Sequence, residues 1–283
     1  MTVGFGVLGA RSFVANAAVI PAIDASEHTR LVAAGSRSGP ASYEEVLADS
    51  EVEVVYVPLP NGLHSEWTAK AAAAGKHVLC EKPLAPTADE AAGMVATCNA
   101  AGVRLYEAWM TPFSLPWSDA VGHARSFGAE RVDTTFTFTI HPDNTENYRW
   151  DPAQGGGVLL DVGIYGLGPA VELWGPEPDD VSADITLSPT GVDVTVSAEL
   201  RWSHGRSAST LLSFALPERQ HLRFRGPEFD LELTGTAHTG VDGTYQRMIE
   251  AVARDVRGTE PFPRTIDDAV AMLRLTDRIR ATV

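Results

Sequence analysis

The chain of 283 residues has few cysteines and no long apolar run. Its two cysteines, Cys80 and Cys98, fall within apolar segments and cannot form a disulfide framework, so we expect a reducing, cytoplasmic setting. No stretch approaches the roughly 20 apolar residues that cross a bilayer, and the N-terminus lacks the basic and apolar regions of a signal peptide. We therefore expect no membrane partner.

Basic residues are also scarce, because 22 lysines and arginines face 37 aspartates and glutamates, which gives a net charge of -15. Nucleic acids and anionic membranes bind basic surfaces, so neither is an expected partner. The eight histidines show no metal-ligand spacing, and the sequence contains no G-x-S-x-G nucleophile motif. We expect neither a metal site nor a nucleophile of that kind.

Two patterns of secondary structure divide the chain. Up to about Glu107, short apolar runs alternate with helical segments, which predicts an α/β domain with a parallel sheet. After "TPFSLPW", whose prolines indicate a linker, period-two segments predict antiparallel strands, and two helices follow them. We therefore predict an α/β domain over residues 1–112 and an α+β domain over residues 113–283.

The first strand contains "GFGVLG", which matches the dinucleotide fingerprint G-x-G-x-x-G in letters only. Alternating apolar residues place Gly4 and Gly6 inside the strand, so the turn begins at Gly9. The candidate phosphate-binding residues are therefore Gly9, Ala10, Arg11, Ser12, Phe13 and Val14. An α/β domain that binds no nucleotide is the alternative.

The second strand ends in "GSRSG". An NAD-selective site has an acidic residue at this position, whereas the 2′-phosphate of NADP requires hydroxyl groups and a cation. Ser36, Arg37 and Ser38 therefore favour NADP(H) over NAD(H), if a nucleotide binds. A solvated turn is the alternative.

Three further motifs occur in order along the chain. They are P-N-x-x-H at Pro60, Asn61 and His64, then "AGKHVLCEKP" at 74–83, then "GGGVLLDVGIY" at 155–165. Together they resemble the glucose-fructose oxidoreductase, inositol dehydrogenase and MocA family of NAD(P)-dependent oxidoreductases. The resemblance implies a Rossmann domain with a parallel sheet, followed by a domain with an open, mostly antiparallel sheet and helices on one face.

Chemistry-bearing residues stand out within these motifs. Lys82 follows a buried strand at the edge where open parallel sheets bind ligands, although a solvated surface lysine would have the same pattern. Asp161 and Tyr165 are four residues apart, so they share one face of a predicted helix that Gly163 and Gly166 thin for an approaching ligand. A helix-capping aspartate with a core tyrosine is the alternative.

In the family that the chain resembles, the positions of Lys82, Asp161 and Tyr165 meet at the nicotinamide. The resemblance implies that Tyr165 is the general acid and base, that Lys82 lowers its pKa, and that Asp161 orients the substrate hydroxyl. Further implied cofactor contacts are Pro58, Leu59, Asn61, His64, Glu81 and Lys82. The substrate contacts would be Lys82, Tyr148, Arg149, Trp150, Asp161 and Tyr165. Asn61 and His64 are equally consistent with a helix cap, and Tyr148, Arg149 and Trp150 with a solvated loop.

The function implied is hydride transfer between NADP(H) and a CH–OH or C=O group of a sugar or cyclic polyol. Tyr165, where inositol dehydrogenases have histidine, indicates the branch of glucose-fructose oxidoreductase, xylose dehydrogenase and dihydrodiol dehydrogenase. A catalytically silent nucleotide-binding regulator and a reductase of a non-sugar carbonyl or biliverdin-like ring are the alternatives. An open sheet also predicts a homo-dimer or homo-tetramer.

Three stretches depart from the family pattern. The loop after the first strand is poor in glycine, and "SRSGPASYEEVL" omits a helix and a short strand that the family has there. "EAWMTPFSLPW" replaces the family's Tyr-Arg-x-His-Pro stretch. The phosphate loop, the adenosine pocket and one edge of the substrate site are therefore expected to differ.

Overall fold

A computed structural model describes residues 2–141, 143–144, 146–236, 238–239 and 243–282. The chain divides into two compact units, Met1–Phe113 with Asp242–Val270, and Ser114–Val241 with Ala271–Val283. The first passage between the units lies one residue beyond the predicted boundary of 112. The boundary prediction needs one correction, because residues 242–270 belong to the first unit and not to the C-terminal domain.

The first unit is built on a parallel sheet, as the sequence predicts. Its strands run in the order β2-β1-β3-β4-β5, and every neighbouring pair is parallel. Side chains on the inner strands are buried on both faces, which is why these segments are nearly continuous apolar runs. The strands are β1 (Val3–Leu8), β2 (Thr29–Gly35), β3 (Val54–Val57), β4 (His77–Glu81) and β5 (Leu105–Ala108).

Four helical segments connect these strands, as predicted. A π-helical turn, Ala15–Val19, leads into α1 (Ile20–Ala25), and α2 (Tyr43–Ala48), α3 (His64–Ala73) and α4 (Ala88–Ala100) follow. Ser42 and Glu45 cap α2 reciprocally, and the Thr87 side chain accepts from the amide of Glu90 to cap α4. Local capping therefore fixes where α2 and α4 begin.

Helix α7 (Thr244–Val256) explains why the segment 242–270 belongs to the first unit. Its apolar face packs against α1 and β2. Arg257 pairs with Glu53 at 2.6 and 2.7 Å, and Asp255 accepts from the Tyr106 hydroxyl at 2.5 Å. An amphipathic pattern predicts such a helix but not the sheet that it covers.

The second unit contains a six-stranded sheet in the order β11-β10-β6-β9-β8-β7. Four neighbouring pairs are antiparallel and β6 with β9 is parallel, which confirms the predicted mostly antiparallel sheet. The strands are β6 (Arg131–Thr139), β7 (Asp180–Leu187), β8 (Asp193–Arg201), β9 (Ser207–Ser213), β10 (Ala215–Gly226) and β11 (Phe229–Thr234). Helix α6 (Val158–Trp174) packs on one face of this sheet, and α8 (Ile266–Arg280) ends the described chain.

The face of this sheet opposite α6 is polar. The register aligns Glu232, Arg223, Asp133, Ser209 and Glu199 across five strands. Asp133 accepts from the Ser209 hydroxyl at 2.6 Å and from Arg131 at 2.8 Å. Cross-strand hydroxyl and charge pairs of this kind stabilise a sheet while its face stays in water.

The prolines of "TPFSLPW" do not form the predicted linker. Thr111–Phe113 is a 3₁₀ turn, and helix α5 (Leu115–Ser126) begins directly after Ser114. Pro116 lies in the first turn of α5, where an amide hydrogen has no helical acceptor and proline is tolerated. Proline at this position starts a helix, so the passage between the units, at Phe113 and Ser114, is a turn followed by a helix and not an extended linker.

Gly166 of α6 allows the helix to pack closely on β9. A Cβ at Gly166 would lie 2.3 Å from Thr210 Oγ1 and 2.8 Å from Leu212 Cδ2, on β9. Thr134 Oγ1 also donates to the Gly166 carbonyl at 2.9 Å. At Gly163 the nearest atom would be Leu159 Cδ1 at 3.4 Å, an ordinary contact.

The substitution Gly166→Ala is expected to lower the free energy of unfolding by roughly 1–3 kcal/mol, because β9 must move away from the helix. Gly163→Ala is the matched control and is expected to be neutral or stabilising, since alanine favours a helix by up to about 1 kcal/mol over glycine. Thermal unfolding of both variants measures the difference. Equal losses of stability would contradict this account of Gly166.

Candidate active site

The loops that follow β1, β2 and β3 meet at the carboxyl edge of the parallel sheet. Gly9 has a φ of +88°, and a Cβ on it would lie 3.1 Å from Leu59 Cδ2 and 3.5 Å from the Pro58 carbonyl. The amides of Gly9 and Ala10 both donate to the Gly35 carbonyl, at 2.9 and 2.8 Å. Three of the predicted cofactor segments are therefore adjacent, and the first of them requires glycine.

The bend after Gly9 leads into the first turn of a helix. The Ser12 amide donates to the Gly9 carbonyl at 2.8 Å, and the first full helical bond runs from the Asn16 amide to the Ser12 carbonyl at 3.2 Å. The amides of Phe13 and Val14 therefore precede any carbonyl of their own helix that can accept them. Such a first turn binds anions such as a pyrophosphate without needing further glycines.

Asn16 holds this bend, and sequence reasoning missed it. Its side-chain amide donates to the carbonyls of Ala10 and Ser12 at 2.7 and 2.8 Å. An asparagine inside a helix carries no pattern that reveals such contacts. Arg11 and Phe13 on the same bend are exposed, Phe13 to 87%.

The turn after β2 presents the residues predicted to select the cofactor. Ser36 is buried, and its amide donates to the Ala41 carbonyl at 3.0 Å. Arg37 and Ser38 are exposed on the same turn. Ser36 thus shapes the turn, whereas the guanidinium of Arg37 and the hydroxyl of Ser38 are accessible to a ligand.

Lys82 directly follows β4, on a turn held by hydrogen bonds. Glu81 accepts from the Lys82 amide at 3.2 Å and from the Tyr56 hydroxyl at 2.6 Å. Burial, and then the charge of Glu81, raise the pKa of Tyr56 well above its ordinary value, so this tyrosine stays a donor. The Lys82–Pro83 peptide is cis.

The His64 ring contacts the turn that carries Lys82. Its ring is fully buried, with Nδ1 3.0 Å from the Pro83 carbonyl and Nε2 2.8 Å from the Leu59 carbonyl. Burial lowers its pKa although both carbonyls favour the protonated ring. His64 therefore joins the loops after β3 and β4, and Asn61, buried in the short turn Asn61–Leu63, precedes it.

Glu107 is a further residue of this edge that sequence reasoning missed. It is buried at the end of β5, paired in register with Cys80, and its carboxyl hydrogen-bonds the Leu84 amide. Burial raises its pKa, against the charges of Arg264 and Lys82. Its Oε2 has no hydrogen-bond partner among the described residues. A charged residue inside the apolar run "VRLYEA" was the available signal.

In the second unit, the glycine run sets the start of α6. Gly157 has a φ of +111°, and a Cβ there would lie 2.4 Å from Asp193 Oδ1. Asp193 Oδ2 accepts from the Leu159 amide at 2.6 Å, so a residue of β8 caps the helix. The side chain that accepts from the Leu159 amide is therefore that of Asp193 and not that of Asp161.

Asp161 instead pairs with Arg149. The guanidinium donates from Nε to Oδ2 at 2.7 Å and from Nη2 to Oδ1 at 2.9 Å, and Asp161 is 5% exposed. Burial disfavours the charge on Arg149, but Asp161 more than offsets this, and the pKa of Arg149 is raised. A bidentate, nearly buried pair keeps the carboxylate ionised and fixes its orientation.

Tyr165 lies one turn after Asp161 and forms part of an aromatic wall. Its ring is 8% exposed and stacks on Phe136 at 5.0 Å with planes 17° apart, and His238 lies 6.4 Å away. The wall continues through Phe136–Phe138 at 6.1 Å, Phe138–Phe214 at 5.2 Å and Trp150–Phe214 at 5.9 Å. It connects the predicted substrate residues Trp150 and Tyr165.

The predicted residues thus form two groups. Asp161, Tyr165, Arg149 and Trp150 lie together in the second unit, with Tyr148 under the Arg149 guanidinium at 4.9 Å. Lys82 and the predicted cofactor residues belong to the first unit. Pro142 and Thr145 of the polar loop before Tyr148 lie outside the described residues.

Two family models match this chain. The oxidoreductase family with an NAD-binding Rossmann fold matches residues 4–108, and the GFO/IDH/MocA C-terminal domain matches residues 129–241. The chain belongs to the GFO/IDH/MocA oxidoreductase family, which confirms the resemblance carried by the three motifs. Its first unit contains the NAD(P)-binding Rossmann fold of that family.

Individual relatives agree with this assignment. D-xylose 1-dehydrogenase (NADP(+)) 2 of Haloferax volcanii is 35% identical and covers 97% of this chain and 95% of its own length. The crystal structure of aldose-aldose oxidoreductase from Caulobacter crescentus, complexed with glycerol, matches with a TM-score of 0.88 at 25% identity. The match covers 100% of this chain and 97% of that protein's chain. A 3-ketoreductase from Actinomadura kijaniata, in complex with NADP and TDP-benzene, shares the fold, with a TM-score of 0.86 at 23% identity. The match covers 100% of this chain and 98% of that protein's chain.

Two features are missing from the part of the chain that the structure describes. It contains no group of three or more His, Cys, Asp or Glu residues arranged to hold a metal ion. None of its helices has the length and apolar character needed to span a membrane.

The substitution His64→Ala is expected to lower the free energy of unfolding by about 1–3 kcal/mol, because it removes a buried ring and leaves the carbonyl to which the neutral ring donates without that donor. His28→Ala, at an exposed histidine, is the control and is expected to be neutral. Denaturant titrations measure both variants.

The stability difference between the wild-type protein and His64→Ala is also expected to depend on pH. Because burial lowers the pKa of His64, the stabilisation by its neutral ring is fully present above about pH 6.5 and is lost as the pH falls through the lowered pKa. The difference in the free energy of unfolding should therefore become smaller in acid. A pH-independent difference would contradict this account.

Proposed function

We propose that the protein is an NADP(H)-dependent oxidoreductase that transfers a hydride to or from a CH–OH or C=O group of a sugar or related cyclic polyol. The observation that carries the proposal is the arrangement of Asp161 and Tyr165 on one face of α6, beside the ion-paired Arg149. Two relatives, named a xylose dehydrogenase and an aldose-aldose oxidoreductase, support a sugar substrate.

Tyr165 is the proposed general acid and base. Its phenol donates a proton to the substrate oxygen during reduction and accepts it during oxidation, while the nicotinamide supplies or takes the hydride. Lys82, as a cation, favours the phenolate and lowers the pKa of Tyr165 from its ordinary value of about 10. His64, Glu81 and Glu107 act as positioning residues, because they hold the turn that carries Lys82.

Asp161 orients the substrate hydroxyl in this proposal, with Arg149 as its positioning residue. Each carboxylate oxygen accepts from Arg149, which fixes the orientation in which Asp161 would accept from a substrate hydroxyl. The aromatic wall that ends at Trp150 gives the apolar face of a sugar ring a surface to pack against.

The cofactor residues fit NADP(H). Gly9 allows close approach at the end of β1, and the amides of Phe13 and Val14 begin a helix that can accept the pyrophosphate. Arg37 and Ser38 are exposed where the 2′-phosphate is expected, and no acidic residue occupies positions 36–40. The xylose dehydrogenase relative is named for NADP(+).

We also propose that the chain forms a homo-dimer or homo-tetramer through the second-unit sheet. The face opposite α6 carries Asp133, Arg223 and their ion-paired neighbours. An interface formed there would be polar and hydrated, and its strength would depend on matched charges more than on apolar area.

Tyr165→Phe and Lys82→Met are each expected to lower kcat at least about 100-fold, because each removes a group needed for proton transfer. Tyr43→Phe and Lys70→Met, at positions outside the proposed site, are the controls. NADP-dependent oxidation of D-xylose, D-glucose and inositols measures the effect, and Lys82→Met should also move the basic pH dependence of kcat upward. Near-normal turnover in either site variant would refute the mechanism, and NADP binding without turnover of any substrate would favour the silent regulator.

Arg37→Glu is expected to lower kcat/KM for NADP at least about tenfold while sparing NAD, because a carboxylate repels the 2′-phosphate and can bind ribose hydroxyls. Arg206→Glu is the matched control, since it makes the same charge change at an exposed turn of the second unit. Steady-state kinetics with each cofactor give the ratio. An unchanged NADP/NAD ratio would exclude Arg37 as the selecting residue.

A further inference from the structure

A groove lies beside the aromatic wall of the second unit. Its volume is about 580 Å³, and its lining residues are Phe136, Thr137, Phe138, Thr139, Glu218 and Gln220. Phe136 is also the residue on which Tyr165 stacks. The groove and the proposed reacting tyrosine therefore share one wall, although Tyr165 does not line the groove.

The strand geometry places Phe136, Phe138 and Gln220 on one face of the sheet, whereas Thr137 and Thr139 alternate to the opposite face. Phe136 and Phe138 are two residues apart on β6, so their rings lie on the same side of the sheet. Gln220 is the register partner of Phe136 on β10, and Glu218 precedes it by two residues. The groove therefore has two aromatic rings on one strand and two polar side chains on the next.

The polar side chains of the groove suit hydroxyl groups. Gln220 Oε1 accepts from the amides of His238 and Thr239 at 3.1 and 3.3 Å, so the amide nitrogen is the group that Gln220 presents to a ligand. Glu218 is exposed, and its two oxygens can accept from neighbouring hydroxyls. Aromatic rings beside one donor amide and one acceptor carboxylate match the apolar face and the hydroxyl edge of a pyranose.

The charge of the lining residues and the volume of the groove further limit which ligands can bind there. Glu218 is the one ionisable side chain among the described lining residues, and the chain carries a net charge of -15. A phosphate in the groove would meet a carboxylate without a compensating cation. The volume lies within the range of small-molecule sites, about 300–1,000 Å³, so a whole ring can enter in addition to the ring that reacts at Tyr165.

We propose that this groove is a subsite for an uncharged, polyhydroxylated part of the substrate, the second ring of a reducing disaccharide, and that Glu218 discriminates against phosphorylated sugars. The inference rests on the proposed function, because it takes Tyr165 as the reacting centre. It adds a substrate class, neutral disaccharides, and two residues, Phe138 and Glu218, that set the preference without taking part in proton transfer.

Cellobiose, glucose and glucose 6-phosphate are the probes, each tested with the full chain and saturating NADP(H). The variants are Phe138→Leu, which keeps an apolar side chain and the fold, and Glu218→Lys, with Glu228→Lys as the control at an exposed carboxylate in the β10–β11 turn. Binding is measured by calorimetry and turnover by NADPH absorbance. Thermal unfolding shows whether each variant is folded.

Phe138→Leu is expected to lower kcat/KM for cellobiose about tenfold with little change for glucose, because the stacking surface for the second ring is lost. Glu218→Lys is expected to raise kcat/KM for glucose 6-phosphate relative to glucose about tenfold, and Glu228→Lys to leave this ratio unchanged. Calorimetry should show the same changes in cellobiose and glucose 6-phosphate affinity.

The remaining outcomes separate the two proposals. Turnover of glucose with unchanged ratios in both variants would overturn the subsite and leave the proposed function intact. Cellobiose binding that Phe138→Leu weakens, without turnover of any sugar, would support the subsite and refute the proposed function. Failure to bind or oxidise any of the three sugars would overturn both.

Discussion

The pairing of Arg149 with Asp161 is the constraint on which the second unit's candidate site depends. A carboxylate that is 5% exposed must be neutralised by a partner, and the bidentate guanidinium supplies that partner. The pair ties the short turn Tyr148–Trp150 to α6. It thereby places Trp150 at one end of the aromatic wall and leaves Tyr165 at the other. Removing the guanidinium would take away the bidentate partner of a buried carboxylate, so the two residues form one structural unit.

In the first unit, hydrogen bonds to backbone groups fix the loops that carry the candidate site residues. The loops after β1, β3 and β4 carry the candidate cofactor residues, and each is fixed by a hydrogen bond to a buried partner: Gly35, His64 or Glu107. Such contacts position a loop through its backbone carbonyls and amides. Lys82 and Arg37, the candidate site residues of this unit, therefore lie on turns that other residues hold.

Much of this architecture was accessible from the sequence, since local patterns determine it. The strands of the parallel sheet are short apolar runs, and α2 and α4 carry capping residues such as Ser42 and Thr87. Three chemical motifs identified the family. What the sequence did not reveal depends on tertiary contacts: Asp193 capping α6 from another strand, Asn16 bridging a bend, and residues 242–270 covering the first sheet. Helix α5 was missed because its prolines resemble those of a linker.

The Gly35 carbonyl accepts hydrogen bonds from the amides of both Gly9 and Ala10. This shared acceptor constrains how the cofactor preference of the family can change during evolution. It makes the end of β2 and the start of the candidate phosphate loop one hydrogen-bonded piece, so the proposed phosphate-binding and cofactor-selecting residues belong to the same segment. A substitution that reshapes the Ser36–Ser38 turn also shifts the amides behind Gly9. A lineage that exchanges one nicotinamide cofactor for the other must therefore alter the charge of this turn while preserving its backbone path.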